Sequence, residues 1–379
     1  MFHHNRLSPA LSIKRGLGTT LGAALLVTTT MAANALELTY GSSTSPQHPS
    51  IKYGAEPFAQ RLSERTNGEV TYKIYTGGTI GSAKELLGNI RDEIVDSAVL
   101  VDIYTKADLP LSSLLSQMLI LSDDPRVFAA AMNETQLLNC PKCVEERARS
   151  NLMAFGFIST GTYHLLCSQP VNSLEALKGK KIRGASRMGT MLQEMGATAV
   201  SISTGEMYEA MQRGQVDCIA GSANWLKAYN LSDHVKYIMT TPLGSYFGSD
   251  IINIAISRWE ELTPDQKAAF IDLAPKTVAD VVFAYGEENN AYLDGAAAPQ
   301  VERMEMDDDF KAELQRQRGK EYGEVLSDAE ARGIEGAAEL IAAFQASVEK
   351  WRGIVAEIGD DKAAYENAMR NEIYSKLQY

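Results

Sequence analysis

Short runs of strand-forming residues alternate with amphipathic helical runs along most of this chain, and that alternation restricts the fold more than any other feature. Leu36–Tyr40, Val70–Tyr75, Ala98–Ile103 and Met153–Ile158 read as strands. Between the first two, Ile51–Arg65 carries Tyr53, Phe58 and Leu62 at helical spacing. Between the next two, Ser82-Ala83-Lys84-Glu85 is a capping box in front of Leu86, Leu87 and Ile90. Strand and helix in alternation imply an α/β fold with largely parallel sheet and helices on its faces.

A second series starts near residue 163. Tyr163–Cys167 and Lys181–Arg183 read as strands, separated by one helical turn within Asn172–Gly179, ended by the glycine. Ser203-Thr204-Gly205-Glu206 is another capping box, leading into a helix through Met207, Tyr208 and Met211 that stops at Gly214. Strand character resumes over Val216–Ala220, and the apolar Ile251–Ile256 fits the first sheet. This out-and-back path predicts two lobes joined by crossing linkers. Thr263-Pro264-Asp265-Gln266 combines an N-cap threonine, proline at N1 and glutamine at N3, so a long helix is predicted from there past Pro275, kinked at that proline, towards Ala298. The expected division is residues 36–160 plus 251–292 for lobe I and 161–250 plus 293–350 for lobe II, with 351–379 as a C-terminal helical extension. The acidic cluster Glu305–Asp309 reads as a solvated turn.

The N-terminus reads as a secretory signal. Arg6, Lys14 and Arg15 precede an apolar stretch from about Leu21 to Ala33, which ends in the small-x-small site Ala33-Asn34-Ala35. A membrane anchor needs about 20 mostly apolar residues, and this stretch is shorter and broken by Thr28, Thr29 and Thr30. Cleavage after residue 35 is expected, which places the product in the periplasm with no inserted segment. Residues 1–35 hold three positive charges and no negative ones, so the net charge of −12 becomes −15. So acidic a surface disfavours nucleic acid and anionic lipid as partners, because both are bound through Lys and Arg. An anionic ligand needs a local cation set against that field. The remaining 344 residues exceed what one hydrophobic core commonly supports, in keeping with two lobes.

Four cysteines are present. In an oxidising compartment Cys140-Pro141-Lys142-Cys143 is spaced to close a small disulfide loop; Cys167 and Cys218 are either a second pair or two buried thiols. The sharper alternative for Cys140 and Cys143 is a thiol-disulfide oxidoreductase centre. Such a motif follows a short strand near the start of a compact domain, whereas this one follows a helical run well into the chain. Catalytic patterns are otherwise missing: no H-E-x-x-H, G-x-S-x-G, Walker loop or dinucleotide fingerprint occurs. His48, His164 and His234 are too scattered to suggest a metal site, and no cofactor is implied.

The segment from Val171 to Ala220 is more informative. Leu177-Lys178-Gly179-Lys180-Lys181-Ile182-Arg183, Met195-Gly196-Ala197, Ser203–Tyr208 and Gly214-Gln215-Val216-Asp217 follow one another. In the first half, Phe58-Ala59-Gln60-Arg61-Leu62 leads to Thr66-Asn67-Gly68, Tyr72–Tyr75 and Gly81. In this order the chain resembles the extracytoplasmic solute receptors of TRAP transporters, the DctP-type family, over about residues 36–350. The resemblance implies a two-lobed periplasmic binding protein fold with crossing linker strands and a long lobe-spanning helix. It also implies a receptor rather than an enzyme, a small organic anion as ligand, and an ion-gradient-driven membrane permease as partner.

On spacing alone Arg183 reads as a surface arginine beside Lys180 and Lys181; the resemblance implies that it holds the ligand. A guanidinium is always charged and its planar fork fits a carboxylate bidentately. Other family positions differ. Tyr163 stands where some members carry a second arginine, Gly221 and Ser222 stand where many carry asparagine, with Asn224 and Trp225 just beyond, and Thr204 replaces an aromatic. These departures speak against assuming the ligand of a well-known member. Tyr163, Trp225, Tyr246 and Phe247 fit either core packing or an aromatic wall suited to a planar or partly apolar carboxylate, such as a keto acid or an aromatic acid. Tyr104 and His48 occupy loops at strand C-terminal ends, where α/β sheets bind ligands.

Overall fold

The computed structural model describes residues 35–377. The expected signal peptide therefore lies, apart from Ala35, outside the described residues.

The first lobe opens with β1 (Leu36–Gly41), β2 (Val70–Tyr75) and β3 (Ser97–Ala98), paired in parallel in the order β2-β1-β3. Val70, Tyr72 and Ile74 alternate towards the core, as a half-buried strand requires. The predicted strand over Ala98–Ile103 is broken. It ends as β3, resumes as β4 (Leu100–Val101), and turns into a single 3-10 turn, Asp102–Tyr104.

Two strands carry the chain between lobes. β5 (Leu152–Ile158) runs into β6 (Tyr163–Cys167), and β10 (Tyr237–Gly244) returns into β11 (Ser249–Ala255). They pair antiparallel on both sides of the crossing, Ser249 opposite Ile158 and Gly244 opposite Tyr163. This is why the sheets are less parallel than the β/α alternation predicts: a path that leaves and returns through neighbouring strands must pair in opposite senses. β11 sits between β4 and β5 in the first lobe, as its apolar sequence suggests.

In the second lobe β7 (Lys181–Arg183), β8 (Thr198–Val200), β9 (Cys218–Ser222) and β12 (Glu302–Met304) complete a sheet ordered β12-β10-β6-β9-β7-β8. β9, β7 and β8 are parallel, so their C-terminal ends share one edge. Cys167 and Cys218 face each other across β6 and β9 and are disulfide-bonded, as are Cys140 and Cys143.

Each lobe has its own core. One gathers residues of β1, β5 and β11 with Phe128, Phe247 and Phe270; the other gathers β6, β7, β9 and β10 with Trp225, Phe310 and Leu314. The helix Pro264–Leu293 spans both, packing Phe270–Tyr285 in the first core and Tyr292 and Leu293 against the second. Its start is the predicted capping box, Gln266 N–H donating to Thr263 Oγ1 and Thr263 N–H to Gln266 Oε1, and it runs on through Pro275.

Two boundary expectations need correction. Residues 293–350 do not all belong to the second lobe: Val325, Ala329, Leu340, Phe344 and Val348 pack into the first core. Nor is 351–379 an extension. Trp351 is fully buried and donates to Glu134 Oε2 at 2.7 Å, and Tyr365, Met369 and Tyr374 join the same core. The acidic cluster is solvated, as read, but it also starts a helix. Asp307 accepts from Phe310 N–H at 2.8 Å and caps the helix Asp308–Ala331, with Asp308 and Asp309 at its positive end.

Candidate functional site

Arg183 is the last residue of β7, at the shared edge of the three parallel strands. It is 1 % exposed. Its Nε donates to Ile202 O at 3.2 Å, one terminal nitrogen lies 3.4 Å from the Tyr104 hydroxyl, and the guanidinium stands 5.8 Å over the Trp225 ring. Among the described residues it makes no carboxylate contact. Glu206 feels its charge from the mouth of the cleft, but that carboxylate is engaged by the Ser203 N–H and hydroxyl.

The guanidinium faces a cavity between the lobes that leaves ≈ 50 Å³ for the centres of water-sized molecules. Adding back the 1.4 Å radius of water gives, for a compact shape, roughly 200 Å³ of void, below the roughly 300 Å³ at the small end of drug-sized sites. Of the residues singled out in the sequence, His48, Tyr104, Tyr163, Arg183, Trp225 and Tyr246 line it. First-lobe loops supply His48 and Tyr104, the linkers supply Tyr163 and Tyr246, and the second lobe supplies Arg183 and Trp225.

Three expected site residues lie outside the cavity lining, and Phe247 takes the core-packing alternative. Gly221 does not line the cavity: a Cβ there would lie 2.3 Å from the Trp225 ring, so the glycine makes room for the tryptophan. Ser222 donates behind it to Gly161 O at 2.7 Å. Asn224 points to Glu288 Oε2 at 3.4 Å on the lobe-spanning helix. Phe247 packs into the first core against Phe128 and Phe344.

The sequence reading missed Tyr229. It stands edge-on to Trp225, with ring centres 5.5 Å apart and an interplanar angle of 83°, and lies 5.7 Å from His48. The signal was available: Tyr229 follows Trp225 by four residues, one turn on, where it ends the short helix Trp225–Ala228 as its C-cap. Thr160 and Leu119 were missed too, and both line the cavity.

Electrostatics single out one end of the cavity. Burial raises the phenol pKa values of Tyr163 and Tyr229, and the Arg183 charge partly opposes the rise in both. The hydroxyls of Tyr104, Tyr163 and Tyr229 therefore share the field of one guanidinium. His48 is held neutral, its pKa lowered by burial to about 4 against a weaker opposing pull from Glu288. Its Nδ1 meets Ser50 Oγ at 2.7 Å and its Nε2 meets the Tyr285 hydroxyl at 3.3 Å. The Tyr285 hydroxyl also accepts from Trp225 Nε1 at 2.7 Å, which fixes the indole plane. An anion is what such a site can hold: burying an unpaired guanidinium costs several kcal/mol, and a carboxylate in its fork offsets that.

The family model for bacterial extracellular solute-binding proteins of family 7, DctP, matches residues 40–328. The chain belongs to this family. Solved structures share its two-lobed fold. A TRAP solute-binding protein from Rhodoferax ferrireducens, in complex with copurified benzoate, superposes with a TM-score of 0.73 at 15 % identity, covering 85 % of this chain and 100 % of that one. A marine metagenome TRAP solute-binding protein specific for aromatic acid ligands gives 0.72 at 18 % identity, covering 83 % and 99 %. Among curated relatives, the 2,3-diketo-L-gulonate-binding periplasmic protein YiaO of Escherichia coli is 22 % identical over 288 residues, 74 % of this chain and 84 % of its own length.

The Cys140–Cys143 disulfide of this family member caps the helix Pro141–Ala148, with the two residues 6 % and 0 % exposed in the first core. Thiol exchange needs an accessible sulfur, and this placement suits a structural staple. No helix among the described residues is long and apolar enough to cross a membrane.

Proposed function

We propose that this protein is a periplasmic receptor that captures a small carboxylate, a keto acid or aromatic acid among the candidates, and delivers it to a TRAP-type secondary transporter. One observation carries the reading: Arg183 is buried beside a cavity and, among the described residues, contacts no carboxylate. Lobe closure buries the ligand's anion against the guanidinium and shields the pair from water, which strengthens their attraction. The linkers Ile158–Tyr163 and Gly244–Ser249 are where the lobes hinge. Delivery to a permease, and export through the N-terminal signal, rest on family membership and on the sequence of residues 1–35.

The test is titration calorimetry of Arg183→Ala and Arg183→Lys against a carboxylate found by thermal-shift screening. Removing one partner of a buried, hydrogen-bonded charge pair costs about 2–5 kcal/mol, so affinity falls roughly 30- to 5,000-fold. Lysine keeps the charge but loses the planar fork, so it does not restore binding. Affinity within threefold of the parent for both variants would show that the anchor lies elsewhere.

A further inference from the structure

We propose that the ligand is an aromatic monocarboxylate, selected over dicarboxylates and sugar acids by a site with one charged end and an internally satisfied, largely apolar remainder. This rests on the carboxylate reading above and narrows it.

The first observation concerns charge. Among the described residues that line the cavity, only Arg183 carries a fixed positive charge. The remaining titratable base, His48, is neutral above pH 4 and has both ring nitrogens engaged, by Ser50 and by Tyr285. A second carboxylate on the ligand would enter the cavity without a cation to meet it, and burying an unpaired carboxylate is strongly unfavourable.

The second concerns hydrogen-bonding capacity. A polyhydroxylated acid needs donors and acceptors along its whole length, or its hydroxyls are stripped of water without replacement. Two threonine hydroxyls of this cavity are engaged inside the protein: Thr44 pairs with Ser42 at 2.8 Å, and Thr160 donates to Gly161 O and accepts from Tyr246 N–H. Away from Arg183 and its phenols, the hydroxyls of Ser43, Thr204 and Ser249 remain, enough for a polar substituent on a ring and few for a sugar.

The third is shape. The indole of Trp225 is pinned by its bond to Tyr285 and backed by Gly221, so it offers a rigid flat face. Tyr163 stands edge-on at 5.1 Å and Tyr229 at 5.5 Å, which turns that face into a slot. Val101, Ile103 and Leu119 line the cavity with them. A planar ring fills such a slot with aromatic contacts on its face and edges, while its carboxylate reaches Arg183 and the surrounding phenols. A void of roughly 200 Å³ suits a single ring with a short acid arm.

The test uses the mature chain and a fixed panel in titration calorimetry: benzoate, phenylacetate and 4-hydroxybenzoate against succinate, pyruvate and glucuronate. The expected result is binding of at least one aromatic acid 100-fold or more tighter than every non-aromatic one. Succinate, pyruvate or glucuronate binding as tightly as the best aromatic acid overturns the class while leaving the carboxylate reading intact. No binding by any of the six, with the protein folded by circular dichroism, overturns both. Trp225→Leu supplies a second readout. It removes the flat face but keeps an apolar wall, so affinity for the aromatic ligand should fall at least tenfold; loss of the buried indole also lowers the thermal midpoint, so the far-ultraviolet spectrum at the assay temperature checks that the variant is folded. Unchanged affinity in a folded Trp225→Leu protein overturns the slot.

Discussion

Replacing Asp102 with asparagine should stabilise this protein, and by an amount that depends on pH. Asp102 opens the turn that presents Tyr104 to the cavity, and it is 4 % exposed. Burial pushes its carboxyl from the ordinary value near 3.8 up to about 8, with Glu146 reinforcing the rise and Arg147 opposing it; Asp250 on the adjoining strand is raised in the same way and the Asp102 charge adds to its rise. The buried Oδ2 meets no hydrogen-bond partner among the described residues. A raised acid holds its proton in the folded state while the unfolded chain gives it up. Its contribution is therefore fully present below about pH 3.8 and is lost as pH rises towards 8. At pH 7 that loss is roughly 4 kcal/mol, from a little over three pH units at about 1.4 kcal/mol each. Asparagine has nearly the same shape and nothing to ionise, so it removes this cost. Its amide must still find acceptors, which takes back about 1–3 kcal/mol where it fails. Denaturant unfolding of Asp102→Asn is thus expected to show a gain over the parent of about 1–4 kcal/mol at pH 7 that is smaller by roughly 4 kcal/mol at pH 4, with ligand affinity within threefold because Tyr104 keeps its place. The same stability difference at both pH values would refute the reasoning, since it would mean that Asp102 is ionised in the folded protein or that its pKa is unshifted.

Two further outcomes can be checked with the same unfolding assay. Opening Cys167–Cys218 by serine substitution releases a loop spanning 51 positions and should cost about 4 kcal/mol, against about 1.6 kcal/mol for Cys140–Cys143, whose separation is 3; the second double variant should keep its affinity for ligand. His48 and His164 are both depressed by burial to about 4, so each contributes stability that is present above pH 6.5 and lost as pH falls to 4, roughly 3 kcal/mol apiece, and His164→Gln should flatten the acid limb of the stability profile by that amount while leaving stability at pH 8 within about 1 kcal/mol of the parent.

Local features of this fold were legible in the sequence because they are decided by neighbours in the chain. Val70–Tyr75, Tyr163–Cys167 and Lys181–Arg183 are strands with the predicted bounds, and the capping boxes at Ser203 and Thr263 form as read. Errors begin where a partner distant in sequence decides. Glu305–Asp309 could not be told from a solvated turn without knowing that a long helix starts there. The apolar face of Ala337–Ile358 announces burial, but periodicity does not say against which lobe; that follows from Trp351 finding Glu134 and from Phe344 stacking on Phe247. Both contacts join residues far apart in the chain.

The site shows the same division at finer grain. Arg183 was reached only through the resemblance to the family's Lys-Ile-Arg element, since on spacing alone it reads as a surface arginine beside Lys180 and Lys181. Gly221, Ser222 and Asn224 were placed at the cavity because they stand at or beside the position after Val216-Asp217 where many family members carry asparagine, next to Trp225, yet each serves that tryptophan's surroundings instead. Gly221 leaves space behind the indole, Ser222 ties β9 to the linker at Gly161, and Asn224 ties the following turn to Glu288. Sequence adjacency to a binding residue is therefore a poor guide to contact in this fold, because successive strand residues face opposite sides. Spacing by one helical turn is a better one, and it leads from Trp225 to Tyr229. A ligand slot made by those two rings is only as selective as the backing that keeps the indole still. Gly221→Ala, which would drive a methyl group into that ring, should accordingly weaken ligand binding without touching the ligand.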